Sequence, residues 1–183
     1  MRIIGGKAKG TKLYTLEGND ITRPTLDRVK ESIFNIIQKD IQDSVILDLF
    51  SGSGAIALEA ISRGAKKAII CDKSKEAIKI IKKNIEKTHM EEKVEVYNID
   101  FNKCLEIVEN EPIDLIYLDP PYDKNYIQKS LEIIQKLNIG KTNLKIIIET
   151  DEEERILKEI ENLKFNIIDR RKYGRAIIIF LEK

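Results

Sequence analysis

The stretch Val45-Ile-Leu-Asp-Leu-Phe-Ser-Gly-Ser-Gly-Ala55 decides the fold. It begins as a short apolar run, bounded by Asp48 and a glycine loop and too brief for a helix. Ser-Gly-Ser-Gly then intervenes before a helical pattern resumes. Glycines at such a junction let the backbone come close to a ligand, and the next helix offers unpaired N–H groups at its N-terminus. Strand, glycine loop and helix in that order read as the first unit of a ligand-binding α/β sheet.

The same alternation continues downstream. Ala68-Ile-Ile-Cys-Asp72, Val94-Glu-Val-Tyr97, Ile113-Asp-Leu-Ile-Tyr-Leu118 and Leu144-Lys-Ile-Ile-Ile-Glu149 read as strands. Between them Ile78, Ile81 and Ile85, and then Ile127, Leu131 and Ile134, recur at helical spacing. This predicts a mostly parallel sheet covered on both faces. The rhythm breaks at the end, where Phe165-Asn-Ile-Ile-Asp169 and Ala176-Ile-Ile-Ile-Phe180 flank the basic stretch Arg170-Arg-Lys-Tyr-Gly-Arg175. That stretch reads as a turn with no room for a helix, so the two runs are expected to pair antiparallel. The expected fold is α/β and Rossmann-like, of the class I methyltransferase layout: seven strands, mostly parallel, with an antiparallel C-terminal hairpin.

Residues 1–44 read as an extension on the main domain of residues 45–183. Arg2-Ile-Ile-Gly-Gly and Thr11-Lys-Leu-Tyr suggest a small β-hairpin, and a helix follows Pro24 with Leu26, Val29, Ile33 and Ile37 on its apolar stripe. The extension is too small for a core of its own. The chain has 183 residues, 42% hydrophobic and 34% charged, with net charge +1. That is a globular balance and excludes a disordered chain. No run of about 18 apolar residues is present to cross a bilayer. Cys71 and Cys104 form no CxxC pair and His89 is the one histidine, so no metal site is expected. A reduced, cytoplasmic protein away from membranes is the plain expectation.

Gly52-Ser-Gly54-Ala-Ile-Ala57 also satisfies a dinucleotide fingerprint, which opens a rival reading as a nucleotide-cofactor oxidoreductase. Electrostatics separates the two. A pyrophosphate beside the Asp48 carboxylate is unfavourable by several kcal/mol, on an order-of-magnitude basis. S-adenosylmethionine instead brings an ammonium and a sulfonium, for which Asp48 is an asset. The candidate cofactor residues are Asp48, Phe50, Gly52, Gly54, Asp72, Asp100 and Phe101. Among them Asp72 suits the two ribose hydroxyls, while Asp100 and Phe101 suit the adenine amine and ring face. The structural alternative makes Asp48 and Asp72 helix caps and Phe101 core.

Asp119-Pro-Pro-Tyr122 follows the fourth strand. Two prolines fix φ and remove donors, giving a stiff corner. An exocyclic base amine is a poor nucleophile because its lone pair is delocalised. The Asp119 carboxylate and the Pro120 carbonyl are suited to grip its N–H bonds and orient that lone pair, and Tyr122 to stack on the base. These three are the candidate catalytic residues. The spare proton leaves through Asp119 or to water.

With these motifs in place the chain resembles the RsmD family of 16S rRNA guanine-N2 methyltransferases. The resemblance rests on Arg2-Ile-Ile-Gly-Gly6, Arg23-Pro-Thr25-Leu-Asp-Arg-Val-Lys-Glu31, Phe34-Asn35, Glu59-Ala, Ser62-Arg-Gly-Ala65 and the Asp119 turn. It implies a guanine in the 16S rRNA of the small ribosomal subunit, or of an assembly intermediate, as the target. The turn alone is shared with DNA adenine-N6 and cytosine-N4 methyltransferases, and a non-catalytic RNA-binding relative also stays open. The basic extension favours RNA. Arg2, Lys7, Lys9 and Lys12 are candidate phosphate contacts, and the glycines between them would let backbone approach phosphate. Arg23, Thr25 and Arg28 are open to RNA contact, the cofactor mouth or helix capping.

Overall fold

The computed structural model describes residues 1–16, 24–121 and 125–183, with side chains described for all of these but 24–26. The seven strands are β1 (Val45–Asp48), β2 (Lys67–Cys71), β3 (Val94–Tyr97), β4 (Leu115–Leu118), β5 (Lys145–Thr150), β6 (Asn166–Tyr173) and β7 (Ala176–Glu182). The α-helices are α1 (Pro24–Ile36), α2 (Gln38–Ile41), α3 (Ala55–Ser62), α4 (Lys75–Thr88), α5 (Phe101–Ile107), α6 (Tyr126–Lys136) and α7 (Glu153–Ile160). All strands join one sheet in the order β3-β2-β1-β4-β5-β7-β6. The first five are parallel, whereas β7 runs antiparallel to both β5 and β6. This is the expected Rossmann-like layout.

Side-chain alternation along the strands divides the interior into two apolar layers. Ile46, Ile70, Tyr117, Ile147 and Ile178 point to one face, where α3, α4 and α1 pack through Leu58, Ile81 and Ile33. Leu47, Ile69, Ile116, Ile148 and Ile179 point to the other, under α5, α6 and α7. A strand buried on both faces must be apolar at nearly every position, which is why β1 and β4 read as continuous apolar runs.

The C-terminal hairpin differs from expectation in one respect. Arg170, Arg171 and Lys172 are not in the turn; they pair with Ile179, Ile178 and Ile177 as part of β6. β6 is the sheet edge, so its outward face tolerates charge, while β7 offers an unbroken partner. The turn shrinks to Gly174 and Arg175, with Gly174 at φ +63°. A register irregularity at Ile167/Asp169 is the other departure.

The N-terminal hairpin is reduced to one antiparallel bridge, Arg2 with Lys12, fastened by Ile3 N–H to Thr11 carbonyl at 2.9 Å. Ile3 and Leu13 enter the same apolar layer as Val29, Ile33 and Phe34 of α1. The extension therefore completes the main core.

Its attachment explains the glycines. Glu59, fully buried in α3, accepts backbone N–H bonds from Ile4 at 2.8 Å and Gly5 at 2.7 Å. Its charge is matched by Lys30 at 3.0 Å and Arg63 at 2.8 Å, with Arg63 lying over the Phe34 ring. Ser62 donates to the Gly5 carbonyl and accepts from Ala8 N–H. A Cβ on Gly6, at φ +75°, would sit 1.8 Å from the Ser62 carbonyl oxygen. The expected role of this glycine, close approach to phosphate, is thus replaced by close approach to the end of α3.

Candidate active site

The strand ends β1, β2, β4 and β5 open on a cleft of about 610 Å³. A parallel sheet aligns its strand C-termini along one edge, and the order reverses between β1 and β4, so the cleft lies at the topological switch point. Asp48, Gly52, Asp72, Asp119 and Pro120 all line it. The glycine loop and the Pro-Pro corner therefore face one common space.

Asp48 is the most telling residue. It is 1% exposed, and neither carboxylate oxygen has a hydrogen-bond partner among the described residues. Ser51 Oγ bonds the Asp48 main-chain carbonyl instead, at 2.8 Å. Burial, opposed by the nearby Ser51 hydroxyl and Ala57 N–H and reinforced by the Asp72 charge, pushes the Asp48 carboxyl up to about 7. A buried acid without partners fits a cationic ligand group and disfavours a pyrophosphate.

Asp72 has a different job. One oxygen accepts Gly52 N–H at 2.9 Å and the other Ser74 N–H at 2.8 Å, so it ties the glycine loop to β2. Gly52, at φ +55°, has nothing within 4 Å of the position a Cβ would take. Its lack of a side chain leaves the cleft open. Gly54, also at positive φ, faces the other way: a Cβ there would meet Ile81 and Ile70. It serves helix packing and is not among the cleft-lining residues.

One wall is aromatic. Phe50 lies 5.5 Å from Phe101 and 5.8 Å from Tyr126, and Phe101 meets Tyr126 edge-on at 5.4 Å. Lys73 Nζ sits 5.6 Å from the Tyr126 ring centre. Asp100 precedes α5, makes no side-chain cap bond and lines the cleft beside Ile99. An apolar slot edged by an acid suits an adenine ring and its amine. Tyr126 was not singled out from the sequence, where a tyrosine opening a helix carries no particular signal.

The far side of the cleft holds a second residue missed from sequence, Glu149, next to last in β5. Tyr117 Oη donates to Glu149 Oε2 at 2.5 Å. Burial, then the neighbouring charges of Glu149 and Asp48, holds Asp119 well above the usual carboxylate range. Burial also raises Glu149, opposed by the bond from Tyr117. Three carboxylates thus share one poorly solvated space. No group of three or more His, Cys, Asp or Glu among the described residues could hold a metal ion. Buried acids facing a cleft can meet donors or cations of a ligand. A signal for Glu149 did exist: it stands near the end of a buried strand on the same side-chain alternation as Asp48.

The basic candidates lie on the outer surface of the extension. Arg2, Lys7, Lys9, Lys12 and Arg28 are all exposed, with Arg2 paired to Asp27 at 3.1 Å. Met1, Thr15 and Leu16 of the same segment line the cleft, so the extension forms part of its rim. Tyr122 and Arg23 lie outside the described residues, as does the side chain of Thr25.

The sequence matches the family described as Conserved hypothetical protein 95 over residues 1–182. The chain belongs to the RsmD family. One RsmD relative, the ribosomal RNA small subunit methyltransferase D of Haemophilus influenzae, is 35% identical over 159 residues, covering 86% of this chain and 82% of that one. The protein of the same name from Escherichia coli K12 is 32% identical over 135 residues, 74% of this chain and 67% of its own. Among solved structures, the Thermus thermophilus protein TTHA0928 superimposes with a TM-score of 0.81 at 22% identity, covering 100% of this chain and 99% of that one. Structural neighbours of this kind place the sheet among the folds of S-adenosylmethionine-dependent methyltransferases. The Glu59 and Ser62-Arg63 positions that carry the RsmD resemblance are those that clamp the N-terminus to α3. No helix among the described residues is long and apolar enough to cross a membrane.

Proposed function

We propose that this protein methylates the exocyclic N2 amino group of a guanine in 16S ribosomal RNA, with the small subunit or an assembly intermediate as substrate and S-adenosylmethionine as donor. The observation that carries the reading is the shared cleft of Asp48, Gly52 and Asp119. When bound, S-adenosylmethionine supplies a methyl group on a positively charged sulfur. Asp48 would face the cationic end of that molecule, Gly52 would leave room for it, and Asp72 would meet the ribose with the remaining lone pairs of its oxygens. Phe50, Phe101 and Asp100 would hold the adenine.

Asp119 and the Pro120 carbonyl would take the N–H bonds of the target amine. Held this way, the nitrogen lone pair turns out of conjugation toward the glycine loop, and positioning to roughly 3–3.5 Å does most of the work. The nitrogen must also lose a proton, to Asp119 or to water. Tyr122 is assigned to stack on the base, although it lies outside the described residues. Residues 45–183 form the methyltransferase domain in this reading. Residues 1–44 bring the substrate through Arg2, Lys7, Lys9, Lys12 and Arg28, with RNA contact also assigned to Arg23 and Thr25. A cytoplasmic location follows from such a substrate.

The family relatives named for small-subunit ribosomal RNA support this reading over DNA, and the buried acids speak against an oxidoreductase. The test is transfer of labelled methyl from S-adenosylmethionine to small-subunit particles from cells lacking the enzyme. Label in N2-methylguanosine is expected. Label in duplex DNA in preference to the particles, or stabilisation by NAD(H) but not S-adenosylhomocysteine, would overturn it.

A further inference from the structure

The reading above leaves Glu149 without a task, although it lies in the cleft and is fixed there. Leu118, the last residue of β4, pairs with Ile148 of β5, so Asp119, the first residue past β4, stands next to the position of Glu149 in the neighbouring parallel strand. Such strands run about 4.8 Å apart. Glu149 lies two residues beyond Ile147 on the same face of β5, and Asp119, just past β4, is close enough for its charge to act on both Tyr117 and Glu149. The two carboxylates therefore stand side by side at the cleft floor, and both line it. Tyr117 is buried, and its hydroxyl donates to one oxygen of Glu149, which orients the acid and opposes the upward push that burial gives its carboxyl.

Two adjacent acceptor groups call for two adjacent donors. Base edges differ on this point. Guanine presents N1–H on one side of its N2 amine, so two donors stand next to each other there. In adenine the amine at N6 has the lone pair of N1 beside it, and in cytosine the amine at N4 has the lone pair of N3. A lone pair set against a carboxylate is repelled and leaves both groups unpaired in a desolvated site. The Asp-Pro-Pro corner grips an amine without naming its ring, so discrimination must come from a neighbouring group.

We propose that Glu149, oriented by Tyr117, accepts the N1–H of the target guanine while Asp119 accepts from its N2 amine, so that the pair selects guanine over adenine and cytosine. This rests on the methyltransferase reading and names the residue that gives that reaction its base specificity. Tyr117 is a positioning residue in this scheme, acting through Glu149.

The test uses the whole enzyme and small-subunit particles reconstituted with ribosomal RNA carrying either guanine or 2-aminopurine at the methylated position. The analogue keeps the 2-amino group, replaces N1–H by a lone pair and lacks O6, so the change of preference in the Glu149 variants, and not the wild-type preference alone, reports on N1. Wild-type enzyme is expected to prefer guanine by roughly 10- to 100-fold in kcat/KM, the usual worth of one matched base-edge pair. Glu149→Gln can turn its amide N–H toward the analogue's N1, so the preference should collapse to within a few-fold. Glu149→Asp keeps the acceptor on a shorter arm and should be slower but still prefer guanine. Unchanged preference in Glu149→Gln, or equal loss on both substrates, would overturn the proposal. So would a wild-type preference for the analogue, which would mean Glu149 acts as a protonated donor. Should Glu149→Gln fail to fold, as judged by S-adenosylhomocysteine binding, Tyr117→Phe takes its place, with a several-fold loss of preference expected and no change overturning the claim. Failure of the wild-type enzyme to methylate guanine particles at all would refute the methyltransferase reading itself, a separate outcome.

Discussion

Replacing Asp48 by asparagine preserves the shape of the side chain and removes its charge, which isolates the cost of burying an anion without a partner. The folded carboxyl stands at about 7 against an ordinary value of 3.8, chiefly through burial. A gap of that size corresponds to roughly 4 kcal/mol. Because the folded value is raised, the stability tied to this group is fully present below about pH 4 and is lost as pH rises through 7. The amide that replaces the acid cannot ionise, so Asp48→Asn lacks this slope. That amide is itself left without partners, at about 1–3 kcal/mol, so the variant starts level with or below the natural protein at pH 4. By pH 8 it should have gained about 4 kcal/mol relative to it. Urea unfolding of the ligand-free protein at pH 4 to 8 measures this difference directly. The same variant should bind S-adenosylmethionine at least ~10-fold more weakly at pH 8, because the cation loses its counter-charge. A stability difference that stays constant across pH would refute the reasoning, since it would mean Asp48 is solvated or paired in the folded state.

Asp119→Ala should lower methyl transfer by roughly 10²–10³-fold, as loss of one oriented partner of the reacting group does, while S-adenosylhomocysteine affinity by calorimetry stays within a few-fold. Asp72→Ala should chiefly weaken cofactor binding, because it removes the bonds to Gly52 and Ser74 N–H as well as the ribose acceptor. Glu59→Ala leaves Lys30 and Arg63 unmatched beside two orphaned backbone donors. It should cost about 3–5 kcal/mol, seen as a lower denaturation midpoint. Replacing Lys7, Lys9 and Lys12 by alanine should reduce the slope of log affinity against log salt by about 2 on ribosomal RNA, checked by filter binding over a salt series.

How far the sequence could be read depended on the kind of signal. Continuous apolar runs exposed β1, β4 and β5, because a doubly covered parallel strand tolerates little else. The glycine loop and the Pro-Pro corner were legible because backbone conformation restricts those residue types. The end of β6 was not, since Arg170 to Lys172 look like turn residues and an edge strand is free to carry them. Gly6 was read as an approach to phosphate, yet its neighbour is Ser62, far along the chain, and no local pattern announces such a contact. Glu149 was hidden for the opposite reason. It sat at a strand end already recognised, but its meaning depends on lying beside Asp119, which only the strand order provides.

The most direct test of the central claim is mass spectrometry of 16S ribosomal RNA from a strain deleted for this protein and complemented with the natural or Asp119→Ala form. Loss of a single N2-methylguanosine on deletion, restored by the natural form and not by the variant, is the predicted result. An unchanged set of methylated guanines, or full restoration by Asp119→Ala, would contradict it.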